Sequence, residues 1–274
     1  MPVFFAELLG DLEAETTVLD VILADLPRPS WERPTPAEGW AIRDQVSHLA
    51  YFDEAATEAA QDPQAFREHA AELTALGPTF PDTVAQRYRN LSPDRLLDWF
   101  RTARRRLIDT FATLEPRTRA PWYGPDMSVA SSVTARLMET WAHGQDIVDA
   151  AGVFREPTAR LRHIAHLAMS TFAFSHQLHN LPVPDTAVYV ELDAPDGDTW
   201  IWGEPSALDR VAGPALDFCL AVTQRRHTAD TALRIEGPVA TKWMSIAQTF
   251  AGAPGTGRQP GQFAQVSTGK ETRR

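Results

Sequence analysis

Arg136-Leu137-Met138-Glu139-Thr140-Trp141-Ala142-His143-Gly144-Gln145-Asp146 lies inside a run, Ser128 to Ala151, whose periodicity predicts a helix ending near Gly152. Residues four apart on a helix are separated by ~40° in azimuth and roughly 6 Å along the axis. Glu139 and His143 therefore point the same way, offering a carboxylate oxygen and an imidazole nitrogen to one divalent ion. Two donors on one helix rarely hold a metal alone. A third must come from an opposing helix.

His48 is the natural candidate. A second helix opens around Trp40 and carries Ile42, Val46, Leu49, Ala50 and Phe52 at helical spacing. His48 is flush with that apolar side, where an unpaired polar group is costly. A metal or an ordinary hydrogen bond would satisfy it, and the residues alone leave both open. Asp44, one turn before His48, and Asp146, one turn after His143, either orient a ligand histidine through its second ring nitrogen or are surface and capping acids.

Working outward, Phe4, Leu8, Leu12, Val18 and Leu19 form a helical stripe stopped near Pro27-Arg28-Pro29. Ser92 and Pro93 read as the cap and first turn of a helix reaching about Leu114. Residues 62–81 read as a peripheral excursion. Four long helices predict an antiparallel four-helix bundle over residues 1–155. A connecting helix from Thr158 to about Leu178 and a small α+β domain follow, spanning 156–250. Within that domain 188–192, 199–202 and 231–236 read as strands. Residues 206–224, with a break at Gly213-Pro214, and 238–250 read as helices. Residues 251–274 read as a Gly/Pro-rich polar tail. The expected fold class is mainly α.

Charge and composition narrow the function. A formal net charge of -10 argues against a duplex-binding surface, which needs a clustered basic face. Arg101, Arg104, Arg105 and Arg106 read as a solvated helix face. No apolar run approaches the ~20 residues that span a bilayer. Glu7, Asp11 and Glu13 stand where a secretory leader would be basic. The expectation is a cytoplasmic monomer or homodimer that meets a small-molecule substrate, neither nucleic acid nor membrane. Cys219 is the single cysteine, so no intrachain disulfide exists; it reads as a small buried hydrophobe. Any thiol chemistry draws its thiol from outside. His163, His166, His176 and His179 read as polar or partly buried histidines rather than a second metal site. Arg225 and Arg226 are candidates to clamp a substrate carboxylate or the cofactor, against the plainer role of charges at a helix C-terminus.

Gly39-Trp40, Asp44 and His48-Leu49 in the second helix, with Glu139, Trp141-Ala142-His143-Gly144 and Asp146-Ile147 in the fourth, resemble the DinB-like metalloprotein superfamily. The resemblance is to its branch of mycothiol-dependent maleylpyruvate isomerase-like proteins and covers the bundle. It implies that His48, Glu139 and His143 hold zinc, or alternatively nickel, iron or manganese, with coordination positions left open. It also implies mycothiol as the thiol: a thiolate would add to an electrophilic carbon, and elimination after bond rotation gives isomerisation, whereas retention of the adduct gives S-transfer. It supplies no recognisable isomerase substrate residues, so maleylpyruvate itself is not implied. Two alternatives stand beside this expectation: a thiol-independent metalloenzyme acting on a biosynthetic intermediate, and a non-catalytic metal- or ligand-binding protein.

Overall fold

A computed structural model describes residues 3–263. The chain divides into two compact units, Met1–Glu156 with Phe250–Ala253, and Pro157–Thr249 with Pro254–Arg274.

The first unit contains α1 (Val3–Asp25), α2 (Ile42–Gln61), α3 (Pro63–Thr74), α4 (Phe80–Arg87), α5 (Pro93–Ala112) and α6 (Val129–Ala151). Local chemistry sets these boundaries. The Ser92 hydroxyl accepts from the Arg95 backbone N–H and Pro93 fills the first turn, so α5 starts there. Ser128 caps α6 in the same way through Ser131, and Gly152 ends it in the left-handed conformation (φ 70°). A short hairpin, β1 (Arg119–Ala120) against β2 (Met127–Ser128), precedes α6.

Helix α2 packs on α5 and α6, and α1 packs on α6 and α5, forming the four-helix bundle. Leu19 and Leu23 of α1, Ile42, Val46 and Leu49 of α2, Leu96 and Phe100 of α5 and Ile147 of α6 fill one continuous apolar cluster. Each large side chain so buried contributes about 1.5–3 kcal/mol.

A polar thread crosses this core. The Asp53 carboxylate, wholly buried on α2, accepts from Arg104 Nε (2.8 Å) and Nη2 (3.2 Å) on α5 and from Arg136 Nε (2.9 Å) on α6. Arg104 also donates to Thr140 of α6 and Thr16 of α1. All four bundle helices are tied to one carboxylate. The expected solvated arginine face therefore fails at Arg104, which turns inward because its counter-charge lies in the core. Arg101 pairs instead with Asp20 at 2.6 Å.

The second unit opens with α7 (Leu161–Ser170) and α8 (Phe172–Leu178). Its sheet has the order β4-β3-β5-β6. β3 (Val188–Asp193) pairs antiparallel with β4 (Thr199–Trp202) and parallel with β5 (Asp209–Pro214), and β6 (Arg234–Glu236) lies antiparallel on β5. Helices α9 (Ala215–Val222) and α10 (Pro238–Met244) complete it.

Three expectations need correction here. The connecting helix is two helices, broken at Thr171, whose hydroxyl turns back to the Leu167 carbonyl. Residues 206–214 are loop and strand rather than helix. Asp209, Val211 and Gly213 alternate inward with a period of two, and Asp209 Oδ1 accepts from Val239 and Ala240 at the start of α10. Helix α10 is also shorter than expected, ending at Met244. Part of the expected tail is held to its unit: Gly261 and Phe263 donate backbone N–H groups to Asp230. Its remainder, 264–274, lies outside the described residues.

Replacing Asp53 with alanine would leave two buried guanidiniums without their shared anion. The expected cost is about 3–5 kcal/mol, read as a lower midpoint in urea unfolding with little change in slope.

Candidate metal centre

The second turn of α2 and the middle of α6 face each other inside the bundle. One donor atom from each of His48, Glu139 and His143 lies within 4.8 Å of the others. His143 Nε2 is 2.9 Å from Glu139 Oε2, and His48 Nε2 is 3.6 Å from the same oxygen. The two imidazoles lie side by side, with ring centroids 4.3 Å apart. The i, i+4 spacing on α6 and the apolar phase of α2 turn these side chains inward, and the register of α2 against α6 brings them together.

Gln45, which the sequence did not single out, determines what His143 presents. The Trp40 carbonyl accepts from the Thr35 hydroxyl at 2.9 Å, and the Thr35 oxygen accepts from Gln45 Nε2 at 2.9 Å. The Gln45 amide oxygen therefore faces His143 Nδ1 and accepts its proton. The direction of every bond follows from the carbonyl at the end of the chain, so Nδ1 is the ring nitrogen committed to the protein and Nε2 is the one turned towards Glu139. The Glu139 carboxylate oxygen lies 2.9 Å from that nitrogen. A divalent metal fits the donor set, with neutral imidazole and carboxylate as ligands.

The electrostatics agree with that fit. Burial, and then the adjoining His143, push His48 down from 6.5 to about 3, so its ring is neutral. Burial alone would raise Glu139, but hydrogen bonds from His143 and His48 outweigh it and hold the carboxyl well below its ordinary range.

Beside His48 and Glu139 opens a cavity of about 140 Å³, walled by Phe52, Phe80, Pro81, Trp122 and Tyr123 and lined also by Arg136. Burial raises the Tyr123 phenol far above its usual value, so its hydroxyl stays protonated. Wider hollows lie beside Glu54 and Glu58 (about 510 Å³) and beside Arg226 and His227 (about 360 Å³). Neither carries a cluster of metal donors, and no second group of three such donors occurs among the described residues.

The other sequence candidates fall elsewhere. Asp44 accepts from the Ala41 N–H at 2.8 Å and pairs with Arg89 at 2.9 Å, so it caps α2 and does not orient His48. Among the described residues nothing bonds His48 Nδ1. Asp146 is fully buried one turn beyond His143, whose Nδ1 is already engaged by Gln45. Arg225 and Arg226 sit in the second unit, donating to the Thr223 and Arg225 carbonyls, and Arg226 also lies over Phe263. His176 is buried, with Nδ1 donating to the Phe172 carbonyl. Cys219 is wholly buried and its thiol is pushed up by that burial, leaving it unreactive.

Two predictions follow from this geometry. Gln45→Leu removes the group that fixes the His143 tautomer and is expected to weaken zinc affinity about 10–100-fold, measured by competition with a chromophoric chelator. In chelator-treated protein, stability is expected to fall as pH drops below 6.5, because the unfolded chain protonates His48 while the folded chain does not until about pH 3. The expected loss between pH 6.5 and 5 is about 2 kcal/mol, with Glu139 adding in the same direction below 4.5, and urea titrations at several pH values read it.

Comparison with known proteins agrees with this architecture. Residues 12–148 match the family model described as the mycothiol maleylpyruvate isomerase N-terminal domain. Two Mycobacterium tuberculosis proteins, the uncharacterized protein MT0041 of strain CDC 1551 / Oshkosh and the uncharacterized protein Rv0036c of strain ATCC 25618 / H37Rv, are each 44% identical over 250 residues. Each match covers 91% of this chain and 97% of the relative. Two crystal structures of the mycothiol-dependent maleylpyruvate isomerase, one of them a mutant, align with a TM-score of 0.57 at 16% identity, covering 82% of this chain and 90% of theirs. At that identity the likeness speaks to the fold. The chain belongs to the mycothiol maleylpyruvate isomerase N-terminal domain family, in the isomerase-like branch of the DinB-like proteins.

Proposed function

We propose that this protein is a divalent-metal-dependent enzyme that uses a small thiol, mycothiol by analogy with its family, to isomerise or S-conjugate a small electrophilic metabolite. The observation that carries this reading is the convergence of three donor atoms: His143 Nε2, left facing inward because Nδ1 is held by Gln45, the Glu139 carboxylate 2.9 Å from it, and His48 beside them. Zinc is the first choice of ion for two imidazoles and a carboxylate.

A bound divalent ion would supply Lewis acidity and lower the pKa of a thiol at this site. The chain's own residues do the rest. Gln45 holds His143 in one tautomer. Phe52, Phe80, Trp122 and Tyr123 shed water from the cavity and offer flat apolar walls to a planar, unsaturated substrate. Tyr123, protonated at all working pH values, is a hydrogen-bond donor and not a base. Three protein ligands leave room for a further one, the pattern of a catalytic rather than a closed structural site.

Elemental analysis of the purified protein is expected to find about one divalent ion per chain, and His48→Ala is expected to lose it while keeping its far-ultraviolet helical signal. Turnover of an activated cis-alkene should require both metal and added thiol. Turnover that needs metal but not thiol would point to the thiol-independent enzyme. A metal with no exchangeable ligand in the cobalt spectrum would point to a carrier or sensor. Protein that takes up no metal would overturn the proposal and leave the His143–Glu139 contact as an ordinary hydrogen bond.

A further inference from the structure

Arg136 lies three residues before Glu139 on α6, so its side chain leaves the same face of the helix. Its guanidinium is buried, with the side chain 3% exposed. Nε donates to Asp53 Oδ1 at 2.9 Å and Nη2 to the Leu49 carbonyl at 3.2 Å. Among the described residues nothing accepts from Nη1. Yet Arg136 lines the cavity that His48 and Glu139 border. The remaining edge of the guanidinium is thus the one offered to whatever enters.

The Asp53 carboxylate does not fully answer that charge, because it serves Arg104 as well. One anion is shared by two guanidiniums. The rest of the cavity wall is aromatic and proline-rich, which keeps the local dielectric low and strengthens a charge-assisted hydrogen bond there.

We infer that Arg136 Nη1 is an anion-binding group that holds the negatively charged end of the ligand entering beside His48 and Glu139. The class of ligand is a small organic anion, a thiolate or a carboxylate. This rests on the metal-centre reading above and adds to it a preference for anions over neutral ligands. It also gives the buried Asp53–Arg104–Arg136 thread a second duty, since the carboxylate that locks the bundle orients the donor.

The test uses full-length protein loaded with cobalt(II) and titrated with azide, followed by the visible spectrum. Arg136→Met is expected to weaken azide binding about tenfold or more, the scale of one charge-assisted hydrogen bond, with one cobalt per chain still bound. Arg136→Lys guards against misfolding. Its single ammonium is drawn to Asp53 and has no second edge for the cavity, so azide is expected to weaken about fivefold in a folded, cobalt-loaded protein. Mercaptoacetate and 2-mercaptoethanol separate the two anions. A larger loss for mercaptoacetate assigns Arg136 to the carboxylate, and equal losses assign it to sulfur. A folded variant that holds cobalt and binds azide within twofold of wild type overturns the inference while leaving the metal centre standing. Wild-type protein that takes up no cobalt overturns the metal reading itself.

Discussion

The buried Asp53 carboxylate is the constraint on which the bundle depends. It sits five residues beyond His48 on α2 and takes hydrogen bonds from Arg104 of α5 and Arg136 of α6, while Arg104 reaches Thr16 of α1. Apolar packing alone tolerates a helix sliding or rotating by part of a turn. An ion pair in a dry core does not, because a small displacement leaves a charge without its partner. By fixing α2 against α6, Asp53 sets the separation of His48 from Glu139 and His143. The convergence of those donors is thus a consequence of register as much as of their own positions.

A second polar chain acts on a finer scale. It starts at the Trp40 carbonyl, just before α2, and passes through Thr35 and Gln45 to His143. Asp53 places the rings, and this chain decides which nitrogen of His143 is held by Gln45 and which faces Glu139. Trp40 adds its indole, stacked on His143 at 5.9 Å between centroids, with its N–H tied to Asp82 of α4. The loop before α2 is therefore part of the site, although it contributes no donor to the cluster.

The sequence made the donors legible because each obeys a simple periodic rule. Glu139 and His143 are four apart on a helix, and His48 keeps phase with Ile42, Val46 and Leu49. What escaped was everything whose role depends on an unseen partner. Arg104 looked like one member of a basic run, since nothing local announces Asp53 across the bundle. Gln45 has the generic appearance of a helical amide; only its position one turn before His48 hinted at a shared face. Asp44 was ambiguous between capping and orienting, and Arg89, remote in sequence, draws it to the cap. The stretch 209–214 was misjudged because its inward Asp209 hides a strand's alternation behind a charge that serves α10.

All three donor atoms, the tautomer-setting glutamine and the Asp53 thread belong to the first unit, and the sheet-bearing second unit supplies none of them. The donor cluster and the sheet are therefore carried by different parts of the chain. The sheet strands lie outside the donor cluster, whereas positions 45 and 53 reach it through a neighbouring side chain. Inheritance can thus rework the sheet while the donor set stays constant, because the two are written in different stretches of chain.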